Sequence, residues 1–263
     1  MFRALILSAL LASPAAALTQ DDVLSATLLP GWRGGDGQHM AALALTLAPG
    51  WKTYWRSPGE AGIPPMLDFS GSGNLRAVRL HWPRPSVFDI NGLQTIGYHD
   101  RLILPVEVTP IERDGPVVLR VTVDLGVCKD ICLPAALDLT ITLPPQGADD
   151  PAIRAALSDR PMAARAAGLT AITCAVSPIA DGLRIETQIR MPSAGGTEAL
   201  VIEATDPSIW VSQSTLSRDG AVLTAQTDLV PRTGAPFALD RSSLTVTVIG
   251  RNRAVEVTGC PAP

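Results

Sequence analysis

Val117-Val118-Leu119-Arg120-Val121-Thr122-Val123-Asp124-Leu125-Gly126-Val127-Cys128 runs through Lys129-Asp130-Ile131 into Cys132-Leu133-Pro134-Ala135-Ala136-Leu137-Asp138-Leu139-Thr140-Ile141-Thr142-Leu143. Leu119, Val121, Val123 and Leu125 alternate with Arg120, Thr122 and Asp124; Leu137, Leu139, Ile141 and Leu143 alternate with Asp138, Thr140 and Thr142. A period of two marks half-buried antiparallel strands, so the stretch predicts a hairpin with a cysteine on each side of its loop. Residues flanking so short a loop sit roughly 4.5–5.5 Å apart between Cα atoms, within reach of a disulfide. Such a pair can open and close without refolding the chain. A crosslink this local also adds little chain entropy, which favours a redox-active pair over a plain structural disulfide. Half of a metal site is a third reading. It lacks partners, because His39, His81 and His99 are the only histidines and none has ligand spacing to another. No cofactor or metal is expected.

Working outward, further alternation predicts strands at 38–48, 75–81, 101–109 and 117–127, with no long helical period among them. Short strands separated by Pro and Gly argue for an immunoglobulin-like β-sandwich. At Pro144-Pro145-Gln146-Gly147 the composition shifts, and Asp150 followed by Pro151 reads as a helix cap and first helical residue. Alternation resumes at 183–191, 199–204, 221–226 and 244–249. The fold class expected is all-β: two tandem immunoglobulin-like β-sandwiches joined by a short, partly helical linker. The boundaries expected are 18–145 for the first sandwich, 146–168 for the linker and 169–263 for the second. Cys174 and Cys260 fall near the first and last strands of the second unit. Bridged, they close a loop of about 87 residues and contribute roughly 4.5 kcal/mol in the chain-entropy model, as a structural disulfide does; two free thiols or a second redox pair are the alternatives.

Arg3, an apolar run from Ala4 to Leu11 and Ser13-Pro14-Ala15-Ala16-Ala17 have the order of a secretory signal, residues 1–17. The run is too short for a bilayer span, which needs roughly 20 apolar residues. The expectation is therefore an exported, periplasmic protein with no membrane span in its mature chain, in a compartment that permits disulfides. Hydrophobic residues make up 46% of the 263 and aromatic ones 4%, which supplies an aliphatic core. A net charge of −4 with scattered basic residues leaves no electrostatic footprint for nucleic acid.

Three segments then stand together: Gly50-Trp51-Lys52-Thr53-Tyr54-Trp55-Arg56-Ser57-Pro58-Gly59, Ile96-Gly97-Tyr98-His99-Asp100-Arg101-Leu102-Ile103-Leu104-Pro105, and Gly126-Val127-Cys128-Lys129-Asp130-Ile131-Cys132-Leu133-Pro134. In this order they resemble the N-terminal periplasmic domain of the thiol:disulfide interchange protein DsbD, and more closely its ScsB relatives, over about residues 28–145. The resemblance implies a protein-disulfide reductase or interchange component. It would take electrons from a membrane-embedded thiol reductase of DsbD/CcdA type and pass them to periplasmic thioredoxin-like proteins in disulfide isomerisation, cytochrome c maturation or a stress-related thiol pathway. It further implies that Cys132 forms the mixed disulfide and Cys128 resolves it. A cap loop at 87–98 would cover the pair, with Tyr54, Phe88, Asp89 and Tyr98 in the pocket or cap.

The residues themselves add a chemical expectation. Lys129 favours a thiolate and the adjacent Asp130 opposes it, so control by access is expected rather than a strongly depressed thiol pKa. Trp51, Trp55 and Trp82 read mainly as core, Arg56 and Glu60 as a surface pair. The rival function is a non-catalytic β-sandwich binding module with two structural disulfides.

Overall fold

A computed structural model of the chain describes residues 18–90, 92–232, 234 and 237–263. The expected secretory signal, residues 1–17, lies outside the described residues. In chain order the elements are α1 (Gln20–Val23), β1 (Leu24–Arg33), β2 (His39–Leu47), β3 (Lys52–Tyr54), β4 (Met66–Asp68), β5 (Leu75–Leu80), β6 (Ser86–Ile90), β7 (Leu93–His99), β8 (Arg101–Pro110), β9 (Val117–Cys128) and β10 (Cys132–Leu143). There follow α2 (Pro151–Ser158), β11 (Met162–Ala163), β12 (Ala171–Ile179), β13 (Gly182–Arg190), β14 (Ala199–Glu203), β15 (Ile209–Val211), β16 (Thr215–Asp219), β17 (Val222–Pro231), β18 (Thr245–Ile249) and β19 (Ala254–Thr258). The strands expected from alternation, both arms of the cysteine hairpin included, are all present, most within a residue or two at each end; β17 runs on to Pro231.

The first sandwich faces a sheet of order β1-β2-β8-β5 against one of order β10-β9-β3-β7-β6, with β4 also paired to β9. Leu43, Leu45, Leu102 and Leu104 from one sheet meet Val121, Val123, Val127, Ile96 and Tyr98 from the other. The alternation in β9 is realised fully, with Leu119, Val121, Val123 and Leu125 buried. β10 is an edge strand, so Leu137, Leu139 and Ile141 are covered on one side only and remain half-buried. The second sandwich faces β11-β19-β18-β14 against β12-β13-β17-β15, with β16 also on β17. Its core joins Ile185, Ile189, Leu223 and Leu229 to Leu200, Ile202, Val246 and Val248.

Between them, the Asp150 carboxylate accepts from the N–H groups of Ala152 (2.8 Å) and Ile153 (3.3 Å), and Pro151 opens α2 as the sequence predicts. Ile153 is fully buried. The expected surface pair between Arg56 and Glu60 does not form. Arg56 Nε and Nη2 instead donate to Glu203 (2.8 and 2.9 Å), Nη2 also reaches Glu256 (2.6 Å), and the guanidinium lies 4.4 Å over the Trp55 ring. Glu60 accepts the backbone N–H of Gln213 at 3.1 Å. Two carboxylates from the second sandwich outcompete one flexible local partner, because a planar guanidinium can bind them together. Among the described residues no helix is long and apolar enough to cross a membrane.

Candidate functional site

Cys128 ends β9 and Cys132 begins β10, and the register pairs them directly. Their Cα atoms stand 4.1 Å apart and the sulfurs are bonded. The three-residue loop between them is closed by the Lys129 N–H donating to the Ile131 carbonyl at 2.9 Å. The two cysteines differ sharply in access: Cys128 is 2% exposed, whereas Cys132 is solvent-exposed beside Ile131, itself 56% exposed. Of the two, Cys132 is the sulfur-bearing residue open to solvent.

The wall behind Cys128 is β3. Its register sets Lys52 opposite Cys128 and Thr53 opposite Val127 on one side, and Lys52 opposite His99, Thr53 opposite Tyr98 and Tyr54 opposite Gly97 on the other. Successive side chains on a strand point to opposite faces. Trp51 and Trp55 join the core, and Lys52 and Tyr54 share the face of Cys128. The Thr53 hydroxyl donates to the Gly126 carbonyl at 3.0 Å, fixing β3 against β9. From there the Tyr54 hydroxyl donates to Cys128 Sγ at 3.0 Å and lies 3.8 Å from Cys132 Sγ. Burial pushes the Tyr54 phenol above its ordinary value, so it keeps its proton as a donor.

Room for that ring comes from Gly126. A Cβ there would stand 2.9 Å from Ile63 Cβ and 3.3 Å from Tyr54 Cε2. Ile63 belongs to the irregular segment 57–65, which folds back over Tyr54; a Cβ on Gly62 would come within 2.9 Å of Tyr54 Cδ1. This cover was not foreseen. Its only sequence signal is the Ser57-Pro58-Gly59 turn after β3.

The 87–98 stretch, expected as a cap loop, is the β6–β7 hairpin, with β7 hydrogen-bonded to β3. Phe88 is half-buried, with Lys52 Nζ 4.9 Å over its ring and His99 edge-on at 6.2 Å. Asp89 is exposed and accepts the Gly92 N–H at 3.1 Å, shaping the hairpin turn. Tyr98 is on the opposite, core-facing side: its hydroxyl donates to the Pro83 carbonyl at 2.8 Å and its ring stacks on Trp82. The pocket role expected of Tyr98 is corrected on that ground, since its register partner Thr53 faces away from the cysteines. Lys52 was not foreseen as a site residue. Burial pushes its ammonium below the ordinary value, and it donates to Thr95 Oγ1 at 2.9 Å.

Cys174 and Cys260 are also bonded, joining β12 of one sheet to a residue two beyond the end of β19 in the other, and both are fully buried. Among the described residues no cluster of three or more His, Cys, Asp or Glu side chains is arranged to hold a metal ion.

The family described as "Thiol:disulfide interchange protein DsbD, N-terminal" matches residues 25–144, which span β1 to β10 and include both cysteines of the hairpin. The crystal structure of the N-terminal periplasmic domain of ScsB from Proteus mirabilis superposes with a TM-score of 0.66 at 22% identity, covering 94% of this chain and 96% of that one. At that identity the likeness is one of fold, and it extends over both sandwiches. No curated protein matches the chain in sequence. Residues 25–144, carrying the hairpin disulfide under Tyr54, are a DsbD N-terminal-like domain.

Proposed function

We propose that the chain is a periplasmic thiol–disulfide relay, exported by a signal at residues 1–17, whose redox unit spans 18–145. The linker at 146–168 joins this unit to a second unit at 169–263, held by the Cys174–Cys260 disulfide. Electrons arrive from a membrane-embedded reductase of DsbD/CcdA type and leave to periplasmic thioredoxin-like proteins. The exchanging sulfur is Cys132 and the resolving one is Cys128.

The observation that carries this reading is the asymmetry of the pair: an exposed Cys132 bonded to a buried Cys128 that already accepts a hydrogen bond from Tyr54. Thiol exchange is fast when the attacked sulfur is accessible and the leaving sulfur is a stabilised thiolate. A plain staple needs neither feature. Phe88 and the 57–65 segment around the site fit control by access rather than by strong thiol activation.

The test is a trap. Cys128→Ala leaves Cys132 without its resolving partner, so mixing it with an oxidised thioredoxin-like protein should accumulate a mixed disulfide visible by non-reducing electrophoresis. Cys132→Ala should accumulate at least tenfold less. Equal trapping by the two variants, or none by either, would overturn the assignment.

A further inference from the structure

The Lys52 ammonium is the one group at this site for which the exchange just drawn has no use. It is 9% exposed, and among the described residues no carboxylate pairs with it. Thr95 Oγ1 accepts one hydrogen bond from it, at 2.9 Å. Two rings also face it, Phe88 at 4.9 Å and Tyr54 at 5.8 Å from Nζ to centroid. Aromatic faces hold a cation and keep water off it, but they do not neutralise it. A buried charge without a counter-ion is costly, and proteins seldom retain one without a use.

The register says where the missing anion would be. Lys52 is the direct cross-strand partner of Cys128. Directly opposed residues share a face, with Cβ atoms about 4.5–5.5 Å apart. Tyr54, two residues along the same strand and on the same face, touches the sulfur itself. The other charged groups nearby point elsewhere: His99, opposite Lys52 on β7, is exposed and bound to Asp100 at 2.6 Å; Asp89 serves the hairpin turn; Lys129 and Asp130 are exposed in the cysteine loop.

We infer that Lys52 is the counter-ion of the Cys128 thiolate, a positioning residue whose charge is unbalanced in the disulfide state and balanced in the dithiol state. The inference rests on the exchange reading above. A partner thiolate attacks Cys132 Sγ, a new S–S bond forms between partner and Cys132, and the Cys128–Cys132 bond breaks with its electron pair leaving on Cys128. Tyr54 donates its hydrogen bond to that thiolate, and Lys52 neutralises it through space. A second thiolate of the partner then attacks the partner's own sulfur in the mixed disulfide and expels Cys132, which takes a proton from water. The partner dithiol loses two electrons to become a disulfide, and the chain's disulfide gains them. In the opposite direction the same cation keeps Cys128 deprotonated, ready to resolve a mixed disulfide formed at Cys132.

The test is a titration of Cys128 in the full chain carrying Cys132→Ala, with Cys174–Cys260 left oxidised, following thiolate absorbance against pH. Lys52→Met should raise the Cys128 pKa by about one unit, a tenfold loss of thiolate on the acidic side, as expected for removal of a nearby opposite charge. Lys52→Arg should restore most of the shift. Thr95→Val, which unties the ammonium without removing it, should give a smaller rise, and it stands in if Lys52→Met fails to fold. A packing role alone would move the melting temperature and leave the titration where it is. An unchanged pKa in folded Lys52→Met, or in Thr95→Val where that variant stands in, would overturn the inference. No partner protein enters the titration, so failure of the relay to find a thioredoxin-like acceptor would show in the trapping experiment and not here.

Discussion

The two disulfides of this chain join residues 4 and 86 positions apart, and almost everything about their surroundings differs. Cys174–Cys260 crosses from one sheet of the second sandwich to the other, deep in an aliphatic core, with both residues at 1% exposure or less. Cys128–Cys132 closes a hairpin tip at the rim of the first sandwich, with one sulfur-bearing residue open to solvent. The hydroxyl nearest the buried pair is Thr187, 3.3 Å from Cys174 Sγ; near the rim pair it is a buried phenol, with a buried ammonium on the same strand. One bond is placed where it restrains the unfolded chain most, the other where it restrains it least and lies open to solvent.

The sharpest way to break this contrast is to remove each bond. In the chain-entropy model a separation of 86 is worth about 4.6 kcal/mol and one of 4 about 1.9 kcal/mol. Replacing Cys174 and Cys260 together with Ala should therefore cost more than twice what the same change at Cys128 and Cys132 costs, measured by urea unfolding. Equal losses would mean that the hairpin bond is also structural.

Next in size is Gly126→Val. Its side chain would enter space held by Ile63 and Tyr54, so overpacking should cost about 1–3 kcal/mol. Because the strain falls on the cover, alkylation of Cys128 in the reduced protein should accelerate by about tenfold or more. Destabilisation with no change in alkylation would remove the 57–65 segment from the account of access.

Tyr54→Phe should be gentler. It deletes one hydrogen bond, worth about 1 kcal/mol net, and that bond points at a sulfur rather than into the core. Exchange with glutathione should slow by about fivefold while unfolding stability stays nearly constant. A large stability loss without slower exchange would assign Tyr54 to packing.

How much of this was legible in the sequence depended on period. β9 and β10 are long, one-sided and strictly alternating, so their pairing, their register and the opposition of Cys128 and Cys132 follow directly from Leu119 to Leu143. β3 spans only Lys52–Tyr54 and is buried on both faces, so no period marks it and Lys52 looks like a solvent residue. What buries it comes from Phe88 and Thr95, 36 and 43 residues further on. Arg56 looks like a local surface partner of Glu60 for the same reason, since its carboxylate partners lie 147 and 200 residues away. Tyr98 shows the limit of a resemblance, which supplies a position in the chain but not the face of the strand. Reading 51–55 as a strand would have separated Trp51, Thr53 and Trp55 from Lys52 and Tyr54, and placed Tyr98 with the former.

The smallest expected difference between the sandwiches is in their response to acid. His39 in the first is fully buried; its Nε2–H donates to the Pro30 carbonyl at 2.6 Å, and Nδ1 has no partner among the described residues. Burial outweighs the Pro30 bond, with Arg33 adding to it, and holds the ring below its ordinary value of 6.5. The unfolded chain thus binds a proton first, and this contribution to stability is complete above pH 6.5 and lost as pH falls toward the lowered value. In the second sandwich burial alone would raise the Glu198 carboxyl, but hydrogen bonds from Arg218 and the Ala194 N–H overcome it and hold the group below 4.5. That contribution persists until pH drops under 4.5. Hydrogen exchange followed at stepped pH should show the strands around His39 loosening first, and the reverse order would contradict this assignment of groups.

The most direct measurement is the thiol–disulfide equilibrium of the full chain in glutathione buffers, with mass-resolved alkylation following Cys128–Cys132 and Cys174–Cys260 separately. The hairpin pair should open and close reversibly across the range of exchange proteins while the buried pair stays oxidised, as structural disulfides with potentials below roughly −300 mV do. If both pairs resist reduction together, or open only as the protein unfolds, the chain is a disulfide-stapled binding module and not a relay.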